Sequence, residues 1–266
     1  MTVRSRNESG VARITLSDPD ARNVITGPDM LEPLLDALDE AEADPEVVVA
    51  VIDAEGPAFS AGGDVKQMAA REGLFAGNPA ELTESYRETI QQLTRFLLTT
   101  DLVTIAMVDG PAVGAGFDLV LGCDLRYGSR NARFAHTFVE IGIVPGDGGA
   151  WLLPRVVGWQ RATELALTSR FITSAEAESY GVLLEVLPED KLEGHVMDVA
   201  RSIAGKPRPA VVMAKRLLRQ ARTMDLDGFL EFSAALQAVA HNTPEHEAAV
   251  ADYVSRLGSK DGQPGR

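Results

Sequence analysis

Cysteine is nearly missing from this chain of 266 residues: Cys123 is the only one, and it sits inside an apolar stretch. No internal disulfide can form. A buried structural thiol is expected there, and the composition suits a reducing cytoplasm. With no cysteine pairs, and four histidines (His136, His195, His241 and His246) in no H-E-x-x-H pattern, no metal site is expected. Positive charge is also scarce, since 25 Lys and Arg face 39 Asp and Glu for a formal net charge of −14. Such a surface disfavours nucleic acid and anionic membranes as partners. A polyanionic small ligand would need a local cluster of Arg and Lys. No apolar run is long enough to span a bilayer, and the opening MTVRSRNESG lacks the apolar core of a signal peptide.

What is present is an ordinary globular balance, 45% hydrophobic and 24% charged, in a chain of a length for one large domain or one domain with a small appendage. Val3–Arg6 and Val11–Leu16 read as a hairpin, Pro28–Ala43 as an amphipathic helix, and VVVAVID at 47–53 as a fully buried parallel strand. A second helix is predicted over Glu81–Leu98 and a second buried strand over Thr104–Val108. After residue 190 the pattern is helical throughout: Leu192–Ala204, Ala210–Arg222, Asp225–His241 and Pro244–Leu257.

Two glycine turns follow the two buried strands. GPAFSAGGDVKQM (56–68) holds Ala61, Gly62 and Gly63, with Asp64 placed to cap a short helix over Val65–Ala70. DGPAVGAGFDLVLGCD (109–124) holds Gly114, Ala115 and Gly116 before an apolar helix whose first turn carries Asp118. The first amides of a helix lack partners within it, and its dipole makes that end positive. Either turn could be ordinary close packing or a place for an anion to develop. A dinucleotide fingerprint fits poorly, because the third glycine of G-x-G-x-x-G is absent and the stretch lies near mid-chain.

FSAGGDVKQM resembles the F-x-A-G-x-D-[LIV]-K signature of the crotonase superfamily, the enoyl-CoA hydratase/isomerase family. DGPAVGAGFDLVLGCD is similar to its second signature, PGDGGAWLLPRVVG to a third block, and RNV, AVVMAKRLL and TPEHEAAVADYVSRL to weaker ones, in order along nearly the whole chain. The resemblance implies an α/β fold: a spiral of β-β-α repeats over 1–190, a C-terminal helical trimerisation region over 191–258, and a disordered tail over 259–266. It implies a homotrimer or dimer of trimers, an acyl-CoA thioester as substrate, and no cofactor beyond coenzyme A as part of that substrate.

By the same resemblance, the Gly63 and Ala115 amides would hold the thioester oxygen. Ala61, Gly62, Asp64, Val65 and Lys66 would line the coenzyme A, and Arg22 and Lys66 are candidates for its phosphates or plain solvated charges. Asp118 matches one hydratase carboxylate, but Phe138 stands where the second belongs and cannot move a proton. Glu140 and Asp147 are the alternatives, each also readable as a surface charge or a loop anchor. Hydration of a 2-enoyl-CoA is the leading expectation. Double-bond isomerisation is its rival, and a non-catalytic acyl-CoA-binding subunit stands as the reading from another class. An NAD-dependent dehydrogenase is the remote alternative.

Overall fold

The computed structural model describes residues 2–260. It divides into two compact units, the first ending at Arg201 and the second starting at Ser202. In the first, β1 (Val3–Glu8) and β2 (Val11–Leu16) form the expected antiparallel hairpin, with Val3 opposite Leu16. α1 (Pro28–Ala43) buries Met30, Leu31, Leu34, Ala37, Leu38 and Ala41 along one stripe. β3 (Val49–Ala54) lies parallel to β2, and its run Val49–Ile52 is fully buried, as an unbroken apolar strand covered on both faces should be. Asp64 then caps α2 (Val65–Ala70), accepting from the amides of Lys66 and Gln67.

The helix expected over Glu81–Leu98 is two helices, α3 (Pro79–Glu88) and α4 (Ile90–Thr99), broken at Thr89 with φ −119° and ψ −104°. The Thr89 hydroxyl donates to the Ser85 carbonyl, and Gln92 Nε2 donates to the Arg87 carbonyl at 2.6 Å. Side-chain bonds of this kind compete with the helical ladder. A short 3₁₀ turn, Gly73–Phe75, fills the expected loop before α3.

β4 (Val103–Val108) pairs parallel with β3, and β5 (Pro111–Val113) follows before α5 (Ala115–Gly122). Then come β6 (Leu125–Ser129), β7 (Arg133–Ala135), α6 (Gly149–Val157), α7 (Trp159–Thr168), β8 (Ile172–Thr173), α8 (Ser174–Ser179), β9 (Glu185–Leu187) and α9 (Glu189–Ala204). One sheet runs β1-β2-β3-β4-β6-β9 and a smaller one β5-β7-β8. The sequence does not announce β5 or β8. They are three and two residues long, and a Pro opens β5.

β5 nevertheless organises the site. Ser60 forms a parallel bridge with Ala112: its amide donates to the Pro111 carbonyl at 3.2 Å, and its carbonyl accepts from Val113 at 2.9 Å. Its hydroxyl donates to the Asn23 carbonyl at 2.7 Å and accepts the Gly62 amide at 3.0 Å. The loop after β3 is thereby fastened to the segment before α5.

The first unit reaches eleven residues beyond the expected boundary at 190, because Leu192, Val196 and Ala200 of α9 are buried and Arg13 pairs with Glu193 at 2.7 Å. The second unit contains α10 (Arg208–Gln220), α11 (Leu226–His241) and α12 (Pro244–Lys260), which pack on one another. α12 includes positions 259 and 260, which the sequence assigned to a disordered tail; 261–266 lie outside the described residues. No helix among the described residues is long and apolar enough to cross a membrane.

A Cβ on Gly116 would lie 2.7 Å from both the Ser60 carbonyl oxygen and the Ser60 Cβ. Gly116→Ala is therefore expected to lower the unfolding free energy by about 1–3 kcal/mol, read from the urea midpoint. An unchanged midpoint would mean that the two turns can separate freely.

Candidate active site

The two glycine turns meet at one cavity of about 70 Å³. Gly63 and Ala115 both line it, together with Thr26, Tyr86, Phe138 and Asp147. Neither the Gly63 amide nor the Ala115 amide has an acceptor among the described residues. For Ala115 the reason is local. It is the first residue of α5, and the Gly114 carbonyl is taken by the amides of Phe117 and Asp118. Gly114 turns the chain into that helix at φ +53° and ψ −121°. Gly62, at φ +81°, sits directly beneath: a Cβ there would be 2.3 Å from the Val113 carbonyl and 3.0 Å from the Ala115 nitrogen. Two free donors from separate loops thus border one small space, an arrangement suited to a developing oxyanion.

The cavity shares Val65, Met68, Phe75, Tyr86, Ile141 and Ile143 with a larger chamber of about 640 Å³. Arg71 is the one charged residue in the wall of that chamber; the rest is mainly apolar.

Asp147 is the carboxylate in the smaller cavity, and it is 4% exposed. Its backbone carbonyl accepts from the Thr94 hydroxyl, and Gln91 Nε2 holds the neighbouring Gly146 carbonyl at 2.9 Å, so α4 fixes this loop. Burial, with the Asp118 charge behind it, pushes the Asp147 carboxyl up to about 7.

Asp118, expected to lead the chemistry, lines neither cavity. It is 2% exposed, and its Oδ2 accepts from the Gly149 amide at 3.0 Å. Its Oδ1 lies 3.2 Å from Nε2 of buried His136, close but poorly aligned, so neither atom has a hydrogen-bond partner among the described residues. A Cβ on Gly149 would strike both, at 2.0 Å from Oδ1 and 2.4 Å from Nε2. Asp118 therefore faces the start of α6 and acts on the cavity through its charge.

The other expected residues divide. Phe138 is buried in the cavity wall, edge-on to His136 with ring centres 4.8 Å apart. Glu140 is exposed on the 3₁₀ turn Val139–Ile141 and lines neither cavity. Ala61 lines the cavity, and Val65 lines both spaces. The carboxylate of Asp64 is engaged as the α2 cap, as its place before the helix suggested, and Asp64 lines neither cavity. Gly62 is buried and supplies close approach without lining the cavity. Arg22 and Lys66 are exposed, and the Arg22 carbonyl accepts the Ala61 amide at 2.9 Å, which puts Arg22 beside the 61–66 turn. Sequence reading missed Ser60, His136, Thr26 and Tyr86. For Tyr86 the available signal was its place one turn after Leu82, since both line the larger chamber.

Among the described residues, no group of three or more His, Cys, Asp or Glu is arranged to hold a metal ion. A family model described as enoyl-CoA hydratase/isomerase matches residues 6–260. The 1,2-epoxyphenylacetyl-CoA isomerase of Escherichia coli (strain K12) is 29% identical over 254 residues, covering 96% of this chain and 95% of its own. The 2,3-dehydroadipyl-CoA hydratase of the same organism is 30% identical over 246 residues, covering 92% of each. Among solved structures, an enoyl-CoA hydratase from Bacillus anthracis superposes with a TM-score of 0.88 at 26% identity, covering 96% of this chain and 97% of that one.

The state of Asp147 has a measurable consequence for stability. Its carboxyl titrates near 7 in the fold against an ordinary 3.8, so between those values the native state keeps a proton that the unfolded chain releases. Stability from this group is present at low pH and lost as pH rises through about 7. Asp147→Asn removes that loss. The variant should gain on wild type as pH rises from 4 to 8, by up to roughly 4 kcal/mol, in urea unfolding measured across pH. Parallel curves would contradict the assignment.

Proposed function

The chain belongs to the enoyl-CoA hydratase/isomerase family, and from that premise we propose that it moves a double bond along an acyl-CoA thioester through an enolate, with Asp147 as the single proton carrier. The observation that carries this reading is the cavity itself: the unpartnered Gly63 and Ala115 amides and one carboxylate border it, and Phe138 occupies the place where a second carboxylate was expected. In a 3-enoyl-CoA, Asp147 takes a proton from C2, between the carbonyl and the double bond. The C–H electron pair moves toward the thioester oxygen, where the Gly63 and Ala115 amides stabilise the charge. Loss of one such donor costs about 2.7–4 kcal/mol. Protonated Asp147 then returns the proton at C4, giving the conjugated 2-enoyl-CoA with no net change in atoms. A carboxyl near 7 suits this exchange, since it must be base in one step and acid in the next.

Geometry thus favours isomerisation over the hydration that the sequence put first. Hydration remains the second reading, supported by relatives that carry hydratase names; Asp147 would then activate water. We also propose that the chain assembles as a homotrimer or dimer of trimers. The support is apolar side chains left exposed on the helices of the second unit, among them Leu218, Leu226 and Leu230. A monomer mass by light scattering would contradict that.

The activity test is direct. Purified protein given 3-hexenoyl-CoA is expected to form the conjugated 2-enoyl product. Asp147→Asn is expected to slow that by about 10²–10⁴-fold, while Asp118→Asn retains turnover with its acid limb moved to lower pH. Hydration of crotonyl-CoA without isomerisation would replace the first reading by the second. Binding without any turnover would replace both by the non-catalytic one, and full activity in Asp147→Asn would remove Asp147 from the chemistry.

A further inference from the structure

Tyr86 is the titratable residue that lines both spaces of the site, and it has no role in the mechanism above. It lies on α3, lines the small cavity beside Gly63, Ala115 and Asp147, and also lines the large chamber. Its ring packs against the 146–147 loop, where a Cβ on Gly146 would be 3.4 Å from Tyr86 Cε1. Its hydroxyl has no hydrogen-bond partner among the described residues, yet it is not among the sealed, unsatisfied buried atoms. The oxygen is therefore accessible, on a residue that lines the cavity. A tyrosine O–H normally finds a partner, and among the described residues of the cavity wall the one charged acceptor is the carboxylate of Asp147.

We propose that Tyr86 is the positioning residue for Asp147: when an acyl-CoA fills the cavity, its phenolic O–H donates a hydrogen bond to the ionised carboxylate and aims it at the acyl carbons. The bond occupies one lone pair and leaves the other oxygen free to take the proton. It also favours the ionised form, which offsets part of the burial that holds the proton on. Catalytic hydrogen bonds that are long or absent in a free enzyme commonly close in the substrate complex.

Electrostatics agree with this placement. Burial and the Asp147 charge both push the Tyr86 hydroxyl upward, so it stays protonated and can donate to a carboxylate through the neutral range. The titratable groups facing Asp147 are Tyr86 from α3 and Asp118 from α5, with His136 behind Asp118; α4 contributes only the uncharged Gln91 and Thr94. Asp118 and Tyr86 thus act on Asp147 in opposite senses, one favouring the protonated acid and the other the base.

This inference rests on Asp147 as the proton carrier, and the experiment separates the two. Tyr86→Phe keeps the ring and removes only the hydroxyl. With 3-hexenoyl-CoA as the probe, kcat is expected to fall about 10–100-fold, the loss of one hydrogen bond to a charged group. KM should stay within about threefold, and the acid limb of the kcat–pH profile should move to higher pH. A packing role alone would leave that limb in place. An unmoved limb with near-wild-type kcat in Tyr86→Phe, while Asp147→Asn is inactive, overturns the Tyr86 proposal and spares the mechanism. Full activity in Asp147→Asn overturns both. Should Tyr86→Phe unfold at a lower temperature than wild type, the limb is read from single-turnover rates below that transition, with the same two outcomes deciding.

Discussion

Everything at this site depends on a pair of backbone hydrogen bonds across Ser60. Its amide and carbonyl engage residues 111 and 113, and its side chain ties in Asn23 and Gly62. Those bonds hold the turn after β3 against the start of α5, so two amides that would otherwise sit in unrelated loops border the same space. Glycine is required where the turns touch: Gly62 and Gly116 each leave room that a methyl group would fill with a clash. Amides held this way cost nothing to reorganise when charge appears, which is the advantage of peptide donors over mobile side chains.

Burial also sets the acidity of the carboxyl group beside the same space. Asp147 lies in the cavity wall with its carboxyl raised to about 7, and Asp118 lies behind it, fastened to the Gly149 amide. The two carboxylates are so placed that one faces the cavity and the charge of the other disfavours its ionisation. Phe138 completes the wall where a second acid would have allowed two-group chemistry, and the space beside it opens into a chamber large enough for a substantial acyl group.

Much of this was legible in the chain. Long elements with a clear period, such as α1 and β3, fall where their apolar spacing puts them, and the Asp64 cap follows from local chemistry. Gly63 and Ala115 could be paired only through the family resemblance, because the feature that joins them, β5, is three residues long and opens with Pro111. The break at Thr89 was hidden because it depends on side-chain bonds to carbonyls rather than on a helix-breaking residue. That Asp147 rather than Asp118 lines the cavity was hidden for a similar reason. Both sit beside glycines, and only the tertiary packing of α6 against α5 decides which one faces the cavity.

The central claim is that the Gly63 and Ala115 amides grip the oxygen of a thioester. Difference infrared spectroscopy of a bound acyl-CoA, labelled with ¹³C at the carbonyl, reads that contact without requiring turnover. Two hydrogen bonds to the oxygen weaken the C=O bond, so the labelled carbonyl band should move to lower frequency on binding. A band that stays at its position in free solution would show that the two amides hold nothing.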